Sequence, residues 1–368
     1  MAKSAQSDVQ QRVAVITGAS SGLGRATALE LARRGFRLGL IARDAGGLDS
    51  LLAEIRSEGS DAVTCVADVT DSDQMQHAAA ETVNRFGRLD AWISNAAVAL
   101  YGETDQVPLN EMRRLMDVNF FGQVIGARAA LPFLEMNREP TCLVGILSVL
   151  AEAAVPLQSA YVASKHALFG FYKSLACELR HRRSRVRIAT YFAPSMATPF
   201  FDHAKTYIGF RPRPVAPVFE PERIALRVAD LVEHPRFKTV APLSARGAVG
   251  LFRNFLGPSI RFEGRFGHRA QRSSEIKGAD AANNLYLPME GFSRVRGSSA
   301  PSRLAAMADP SHVPEWLRRL SAVAFGVASG LVIQAWREGV EAGRSAAAGD
   351  ETLDWGPALP SLTERRRA

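Results

Sequence analysis

The sequence predicts an α/β fold in which helices cover both faces of a doubly wound parallel sheet. Two observations predict it: short, continuously apolar runs recur from Arg12 to about residue 245, and segments of helical periodicity separate them. Strands that are apolar along their whole length need cover on both faces, which is typical of parallel sheets. At 368 residues, the chain has room for such a domain and an extension.

About seven strands alternate with helices in this part of the chain. The strands are expected at RVAVIT (12–17), RLGLIA (37–42), AVTCVADV (62–69), DAWISNAA (90–97), CLVGILSV (142–149), VRIATYFAP (186–194) and KTVAPLS (238–244). The helices are expected at 23–34, 45–58, 72–87, 108–135, 158–182 and 221–234. Gly35 marks the end of the first helix, where a left-handed residue commonly stops the chain.

Residues 1–245 therefore form one expected domain, and residues 246–368 form a C-terminal extension. The extension is basic and amphipathic at first, and residues 273–315 are rich in Gly, Ser, Pro and Asn and are expected to be loosely structured. Residues 320–336 form a 17-residue run without a formal charge. This run predicts an apolar helix that either packs, lies on a surface or attaches weakly to a membrane. The last 25 residues or so are expected to be disordered.

The charge and cysteine content narrow the functional classes. The net charge of +8 comes from residues 201–320, which hold 19 Lys/Arg against 11 Asp/Glu. No zinc-ligand spacing or RNA-binding aromatic motif accompanies this charge, so we expect neither a metal site nor nucleic-acid binding. Three cysteines at no metal-ligand spacing, Cys65, Cys142 and Cys177, are expected to be free, buried thiols. The first 12 residues show no secretory signal, so we expect a cytoplasmic protein.

A glycine-rich turn follows the first strand. In TGASSGLG (17–24), Gly18, Gly22 and Gly24 lie between a strand and the start of a helix. Glycines allow the backbone to turn sharply and to approach a pyrophosphate, whose charge the helix N-terminus favours. The spacing GxxxGxG differs from the common GxGxxG fingerprint. The turn predicts a dinucleotide site, with a tight loop without ligand as the alternative.

The end of the second strand indicates which dinucleotide is bound. An NAD site usually places a carboxylate there for the ribose hydroxyls, but this chain has Ala42 followed by Arg43. A guanidinium suits a 2′-phosphate, so NADP(H) is favoured over NAD(H). Asp44 leaves an alternative open, because it either pairs with Arg43 or turns toward the ribose.

Together with four further motifs, this pattern resembles the classical short-chain dehydrogenases/reductases over roughly residues 10 to 245. The motifs are Asp68 in ADV, Asn95-Ala96-Ala97, Asn119 in DVNFFG and Ser148 followed 13 residues later by Tyr161 in YVASK. Two positions depart from the family pattern: Ala97 replaces a glycine, and Ser195 replaces the glycine after Pro194. The resemblance implies a Rossmann-type fold and an oxidoreductase.

The resemblance also implies the site residues. The catalytic residues are Asn119, Ser148, Tyr161 and Lys165. The cofactor-binding residues are Thr17, Gly18, Ser20, Ser21, Gly22, Leu23, Gly24, Arg43, Asp68, Val69, Asn95, Ala96, Tyr161, Lys165, Pro194 and Thr198. Ser148, Tyr161 and the apolar residues Leu150, Phe200 and Phe201 are expected to contact the substrate.

Tyr161 and Lys165 are four positions apart, which places them on one face of a helix. A free tyrosine has a pKa near 10, so general-base catalysis requires a lower value. The ammonium of Lys165 and an oxidised nicotinamide ring would both lower the tyrosine pKa. By resemblance, Tyr161 exchanges the proton, Ser148 binds the substrate oxygen, Lys165 also binds the nicotinamide ribose, and Asn119 holds a water that links the lysine to solvent.

The substrate is expected to be a hydrophobic small-molecule alcohol or ketone, because the segments after Ser148 and Pro194 are apolar and aromatic. Helices at 118–134 and 159–179 are apolar almost all round, and by resemblance they form a homodimer or homotetramer; alternatively, the extension covers them. Two other functions stay open: a non-catalytic NADP(H)-binding regulator, and a membrane-associated lipid or steroid reductase held by residues 320–336.

Overall fold

The computed structural model describes residues 11–240 and 243–302. The expectations for residues 320–336 and for the C-terminal end lie outside the described residues. Within the described residues, apolar runs form strands and amphipathic segments form helices in the predicted alternation.

Within the described residues, seven parallel strands form one sheet. In chain order, the strands are β1 (Val13–Thr17), β2 (Arg37–Ala42), β3 (Ala62–Val66), β4 (Ala91–Ser94), β5 (Leu100–Tyr101), β6 (Thr141–Ser148), β7 (Val186–Ala193), β8 (Lys205–Thr206), β9 (Phe210–Pro212), β10 (Lys238–Val240) and β11 (Arg272–Ile276). The order across the large sheet is β10-β7-β6-β4-β1-β2-β3, while β5 pairs with β8 and β9 pairs with β11.

Helices cover both faces of the sheet. They are α1 (Gly22–Arg33), α2 (Ala45–Ser57), α3 (Ser72–Phe86), α4 (Leu109–Met116), α5 (Gly122–Glu135), α6 (Ser159–His181), α7 (Pro221–Glu233), α8 (Leu243–Asn254) and α9 (Leu256–Ala270). Alternate residues of β1 belong to different cores: Ala14 and Ile16 pack with α1, α2 and α7, whereas Val13 and Val15 pack with α3, α5 and α6. This confirms the predicted doubly wound, Rossmann-type fold.

The topology brings the predicted motifs to one edge of the sheet. The chain passes from β1 outward to β3 and then returns to β4 on the other side of β1. In open parallel sheets, ligands bind at the carboxyl ends of the strands where the strand order reverses in this way. The glycine-rich turn follows β1, and Asn95 follows β4, so both lie at this switch point. Ser148 is the last residue of β6, where it is in register with Ala193 of β7.

The described part of the extension consists of α8, α9, β11 and the irregular segment 277–302. The antiparallel pair of β9 and β11 connects it to the chain after Thr198. The three cysteines are free, but the expectation that all are buried is wrong, because Cys177 is exposed and Cys65 is only partly covered. Among the described residues, no helix combines the length and the apolar character that a membrane crossing requires.

Candidate active site

Tyr161 and Lys165 lie in the first two turns of α6, and both are buried, at 8% and 2% exposure. The Lys165 ammonium is 5.4 Å from the centre of the Tyr161 ring. Nζ also donates a hydrogen bond of 3.3 Å to the carbonyl of Ile146, two residues before Ser148 on β6. The structure thus brings together the phenol, the ammonium and the Ser148 hydroxyl at the carboxyl end of β6.

Burial shifts the pKa values of both members of this pair. Burial raises the pKa of Tyr161 above its ordinary value, and the neighbouring Ser148 hydroxyl opposes this only in part. Burial also lowers the pKa of Lys165 to about 8. Desolvation is the largest cause acting on the phenol in this buried site, and the lowering of the tyrosine pKa by Lys165 together with an oxidised nicotinamide ring stays a prediction. An oxidised nicotinamide ring carries a positive charge and is the second group expected to lower the pKa of Tyr161.

Asn119 occupies a π-helical turn, Asp117–Phe121, between α4 and α5. Its side chain is fully buried and spans the backbone of Val98: Oδ1 accepts from the Val98 N–H at 2.8 Å, and Nδ2 donates to the Val98 carbonyl at 3.0 Å. Both amide atoms are thus used to fix the loop after β4.

The glycine-rich turn is built for close approach. Gly18 has a φ of +66°, and a side chain at Gly24 would place its Cβ 2.1 Å from the Gly18 carbonyl oxygen. Asn95 Nδ2 donates to the carbonyls of Thr17 and Gly18, at 3.0 and 3.3 Å. The Thr17 hydroxyl accepts from the N–H groups of Asn95 and Ala96. Thr17 and Asn95 therefore lock the turn after β1 to the end of β4.

The charged residues after β2 and β3 form a cluster. Arg114 of α4 binds the Asp68 carboxylate at 2.6 Å, whereas Arg43 is 3.8 Å from the same oxygen. Although burial opposes it, hydrogen bonds from Thr70 and Arg114 hold the pKa of Asp68 below its ordinary value. Asp44 accepts from the Gly47 N–H at the start of α2 and from the Ser293 hydroxyl. Two guanidinium groups thus share one carboxylate, because Asp44 is engaged elsewhere.

A continuous cavity of about 390 Å³ connects this cluster with the catalytic pair. It is lined by most of the predicted site residues: Gly18, Ser20, Ser21, Gly22, Leu23, Arg43, Asp68, Val69, Asn95, Ala96, Ser148, Leu150, Tyr161, Lys165, Pro194, Thr198, Phe200 and Phe201. Ala97 and Ser195, the two departures from the family pattern, line it as well. Thr17, Gly24 and Asn119 do not line it but support residues that do. A cavity of this size and continuity suits an extended small-molecule ligand.

Sequence reasoning missed a second set of cavity residues. They come from the segment after Thr198 and from the extension: His203, Arg213, Val215, Ala216, Pro217, Phe219, Phe252, Glu263, Asn284, Pro288, Met289 and Phe292. The basic, amphipathic pattern that begins after Ser244 did not predict the surface on which this part of the chain packs. The irregular segment that carries Asn284 and Phe292 had no sequence signal beyond its turn-forming composition.

The catalytic end of the cavity is apolar. Phe200 packs edge-on against the Tyr161 ring with a centroid distance of 5.9 Å, and Phe201 packs against Phe200 at 5.5 Å. Tyr101, buried beside them, also lines the cavity. These rings surround the phenol and limit the access of water to it.

The residues present fit a nicotinamide dinucleotide. The backbone of the glycine turn leaves no space for a side chain at Gly24, and the N-terminus of α1 begins at Gly22, where a pyrophosphate is favoured. Arg43 and Asp68 line the same cavity as Tyr161, and Arg114 binds the Asp68 carboxylate beside it. Groups of His, Cys, Asp and Glu that would hold a metal ion are absent from the described residues.

The model of the short chain dehydrogenase family matches residues 12–206, which is more than half of the chain. The chain belongs to the short-chain dehydrogenase family. A relative is the uncharacterized oxidoreductase YxnA of Bacillus subtilis, which is 32% identical over 229 residues. That similarity covers 62% of this chain and 64% of YxnA, so the chain matches a little less than two thirds of this relative's length.

Solved structures of short-chain dehydrogenases share the fold. An alcohol dehydrogenase from the archaeon Thermococcus sibiricus, complexed with 5-hydroxy-NADP, has a TM-score of 0.56 and 24% identity, and the match covers 63% of this chain and 95% of that one. A short-chain dehydrogenase from Mycobacterium paratuberculosis bound to NAD has a TM-score of 0.57 and 23% identity, with coverages of 66% and 99%. This short-chain dehydrogenase therefore has a nucleotide-binding fold that is found with either cofactor.

Proposed function

We propose that the chain is an NADP(H)-dependent oxidoreductase that transfers a hydride between nicotinamide and a hydrophobic alcohol or carbonyl compound. One observation carries this proposal: buried Tyr161 and Lys165 lie beside Ser148 at one end of a cavity whose other end is the glycine-rich turn. A dinucleotide that extends along this cavity has its nicotinamide near the phenol. A protein that only binds the nucleotide would not require Tyr161, Lys165 and Ser148 together.

The bound cofactor supplies the hydride chemistry, and this chain supplies position and proton transfer. The Ser148 hydroxyl binds the substrate oxygen and fixes it next to the Tyr161 phenol. In the reducing direction, Tyr161 donates its proton to that oxygen; in the oxidising direction, it accepts the proton. Lys165 stabilises the resulting phenolate because its ammonium lies in a dry site where charge interactions are strong. The aromatic rings of Phe200 and Phe201 exclude water from the reacting oxygen.

The preference for NADP(H) rests on charge. Arg114 binds Asp68 at 2.6 Å, so Arg43, 3.8 Å away, shares this carboxylate with a second guanidinium. Asp44, the residue that would serve a ribose in an NAD site, is engaged by Gly47 and Ser293 instead. A partly buried guanidinium whose positive charge is not fully neutralised by a carboxylate favours an additional phosphate over a pair of hydroxyls.

The substrate is proposed to be hydrophobic, since its end of the cavity is built from Leu150, Phe200, Phe201 and Phe252. Arg213 and Glu263 line the same cavity. Burial raises the pKa of the Glu263 carboxyl. An apolar body with a polar group away from the reacting carbonyl matches such a lining.

A homodimer or homotetramer is also proposed. Phe121 on the outer side of the α4–α5 region is 50% exposed, and the Phe120 ring lies 4.9 Å from Phe121 and 6.3 Å from Phe171 of α6. The described part of the extension does not cover this aromatic patch.

Free thiols at Cys65, Cys142 and Cys177 fit a reducing compartment, so we propose a cytoplasmic location.

A membrane-associated reductase is the second candidate, and one observation favours it. The helices α8 and α9 expose large apolar side chains interspersed with arginines, which suits an anionic lipid surface. The apolar residues are Leu251, Leu256, Ile260, Phe262 and Phe266, each at least 50% exposed. Cosedimentation of the full chain with phosphatidylserine vesicles tests this candidate, with Phe262→Ser/Phe266→Ser as the variant. Absence of cosedimentation would remove it.

The proposed function is tested by fluorescence titration with NADPH and NADH, followed by turnover on a panel of hydrophobic ketones and aldehydes. Tyr161→Phe should bind NADPH as the wild type does but lose turnover by a factor on the order of 10² to 10⁴. Tyr172→Phe is the matched control, since Tyr172 is a buried tyrosine of the same helix that donates to Gln123 and does not line the cavity. Binding of NADPH without turnover on any substrate would favour the regulatory alternative.

A further inference from the structure

A segment of the extension, residues 283–298, crosses the elements that carry the nucleotide determinants. We call it the strap. It lies outside the residues that the family model matches, 12–206, and it contains no helix or strand. Asn284, Pro288, Met289 and Phe292 of the strap line the same cavity as the glycine-rich turn and Arg43.

The first part of the strap holds the two arginines of the charge cluster. Arg43 donates to the carbonyls of Asn284 and Tyr286 at 2.7 and 2.8 Å. Arg114 donates to the Leu285 carbonyl at 3.3 Å, and its guanidinium lies 5.9 Å from the centre of the Tyr286 ring. Leu285 itself is fully buried in the core beside α3 to α6. The strap therefore fixes the direction of the guanidinium that we assign to the 2′-phosphate.

The second part of the strap is attached to the glycine-rich turn. The Gly22 N–H donates to the Arg294 carbonyl at 2.9 Å, and the Ser293 hydroxyl donates to Asp44. The Gly297 N–H donates to the carbonyl of Ala197 at 3.0 Å. A side chain at Gly297 would place its Cβ 2.4 Å from the Thr198 carbonyl oxygen. The strap is thus anchored at both ends of its path over the turn, and yet the cavity beneath it stays continuous.

Two polar atoms under the strap point to a ligand. His203 Nδ1 and Asn284 Oδ1 are buried, and although the two side chains are close enough for Asn284 to raise the pKa of the imidazole, neither atom forms a well-directed hydrogen bond within the described residues. Both residues line the cavity, and His203 is only 8% exposed. The Asn284 N–H donates to the His203 carbonyl at 3.0 Å, which keeps the two side chains together next to Arg43. Buried polar atoms are rarely left without a partner, so this pair is expected to bind a polar group of the ligand.

We propose that the strap is part of the cofactor site: it encloses the adenosine half of NADP(H), with Asn284 and His203 contacting the ribose-phosphate region and Phe292 covering it. This inference rests on the proposed function, because it assumes that the cavity binds this nucleotide. Each contact that the strap makes with Arg43 and Gly22 must break or loosen before the nucleotide leaves. Cofactor exchange is therefore slow and depends on the strap.

The test measures nucleotide binding by the full chain. Asn284→Ala and Phe292→Ala remove two cavity contacts, and Gly297→Val displaces the strap from Thr198. Their matched controls are Leu287→Ala, a strap residue that is 72% exposed, and Gly278→Val, where a Cβ meets no atom within 4 Å. The NADPH dissociation constant is measured by fluorescence, and the release rate by stopped-flow displacement with excess NADP⁺. We expect both to rise at least tenfold in the three strap variants and to stay unchanged in the controls.

A second measurement distinguishes a strap that encloses the nucleotide from a strap that competes with it for the same site. Arg294 and Arg296 of the strap are exposed, so trypsin cleaves there when the strap opens. NADPH should slow this cleavage severalfold. Faster cleavage with NADPH, or tighter NADPH binding by the strap variants, would show that the strap competes with the nucleotide and would overturn the inference. If the strap variants bind NADPH as tightly as the wild type does, the inference about the strap is wrong while the proposed function stands. A wild-type chain that binds neither NADPH nor NADH overturns both.

Discussion

Lys165 follows Tyr161 by one helical turn, and its ammonium lies 5.4 Å from the centre of the Tyr161 ring in a site where both side chains are buried. Burying an ammonium next to a neutral phenol costs stability, since no carboxylate of residues 11–240 or 243–302 pairs with it. Lys165 Nζ donates a hydrogen bond of 3.3 Å to the carbonyl of Ile146. The buried ammonium therefore lowers the stability of the folded chain while it serves the proposed chemistry, and this loss of stability can be measured.

Lys165→Met should stabilise the chain at pH 7 while it abolishes turnover. The ammonium has a pKa of about 8 when folded against an ordinary value of 10.5. Below pH 8, both folded and unfolded chains are protonated, so the folded state carries the full cost of the buried charge. As the pH rises from 8 toward 10.5, the folded chain loses its proton first and the cost disappears. The variant should gain on the order of 2 kcal/mol at pH 7 and less at pH 9.5.

Urea unfolding at the two pH values checks this expectation. Lys173→Met, at an exposed position of the same helix, is the control and should show no such pH-dependent gain. A Lys165→Met variant that is less stable than the wild type at both pH values would mean that the lost bond to Ile146 outweighs the relief of the buried charge.

Gly24→Ala should abolish nucleotide binding and destabilise the chain. The added Cβ would lie 2.1 Å from the Gly18 carbonyl oxygen and 2.6 Å from Asn95 Nδ2, so the turn after β1 has to move. Collisions with backbone are not relieved by rotating a side chain, and such substitutions cost several kcal/mol. Gly170→Ala in α6 is the matched control: nothing lies within 4 Å of its Cβ, and a helical Ala should stabilise by about 0.5 to 1 kcal/mol. Thermal melts and NADPH titration measure both effects, and retained binding by Gly24→Ala would contradict the assignment of the glycine-rich turn to the nucleotide site.

The sequence predicts the sheet and the catalytic group because both depend on local patterns. Continuous apolar runs mark strands such as β6, and the motif spacing places Ser148 and Tyr161 at one end of that strand. The ionisation of Tyr161 is different: it depends on how completely neighbouring chain segments remove water, which no spacing encodes. The same reason explains Cys177, whose apolar neighbours in the sequence point to other sides of α6.

The strap escaped prediction for a related reason. Its contacts with Arg43 use backbone carbonyls of Asn284 and Tyr286, and any residue type offers a carbonyl. The composition of this segment predicts turns but not the surface on which they lie. Long-range backbone contacts of this kind leave no periodicity, so only the structure shows them.

Arg43→Gln should lower the preference for NADPH over NADH. We expect the NADPH dissociation constant to rise roughly 10- to 100-fold, as lost charge-assisted bonds are worth about 1.5 to 3 kcal/mol, and the NADH constant to change little. Arg56→Gln is the control, because Arg56 lies on α2 with 61% of its side chain exposed, away from the cavity. Titration with both nucleotides measures the ratio. Equal losses for NADPH and NADH would indicate that Arg43 acts only by holding the strap.

His203→Gln should make the chain more resistant to acid. Burial lowers the pKa of His203 to about 4, with Lys277 and Arg43 acting in the same direction and Asp202 and Asn284 opposing. Its ordinary value is 6.5, so between pH 6.5 and 4 the unfolded chain binds a proton that the folded chain does not. Stability is therefore lost as the pH falls through this window, by about 2 kcal/mol between pH 6.5 and 5.

Urea unfolding at pH 7 and pH 5 measures the loss in the wild type and in His203→Gln. The variant should lose about 2 kcal/mol less than the wild type on acidification, because glutamine does not titrate. His166→Gln, at an exposed position of α6, reports any general effect of removing an imidazole. Saturating NADPH adds a second arm: if a phosphate binds next to His203, it raises the imidazole pKa, and the acid loss of the wild type should shrink when the nucleotide is present. An acid loss that is the same in the wild type and His203→Gln would place His203 in contact with water and remove it from the site beneath the strap.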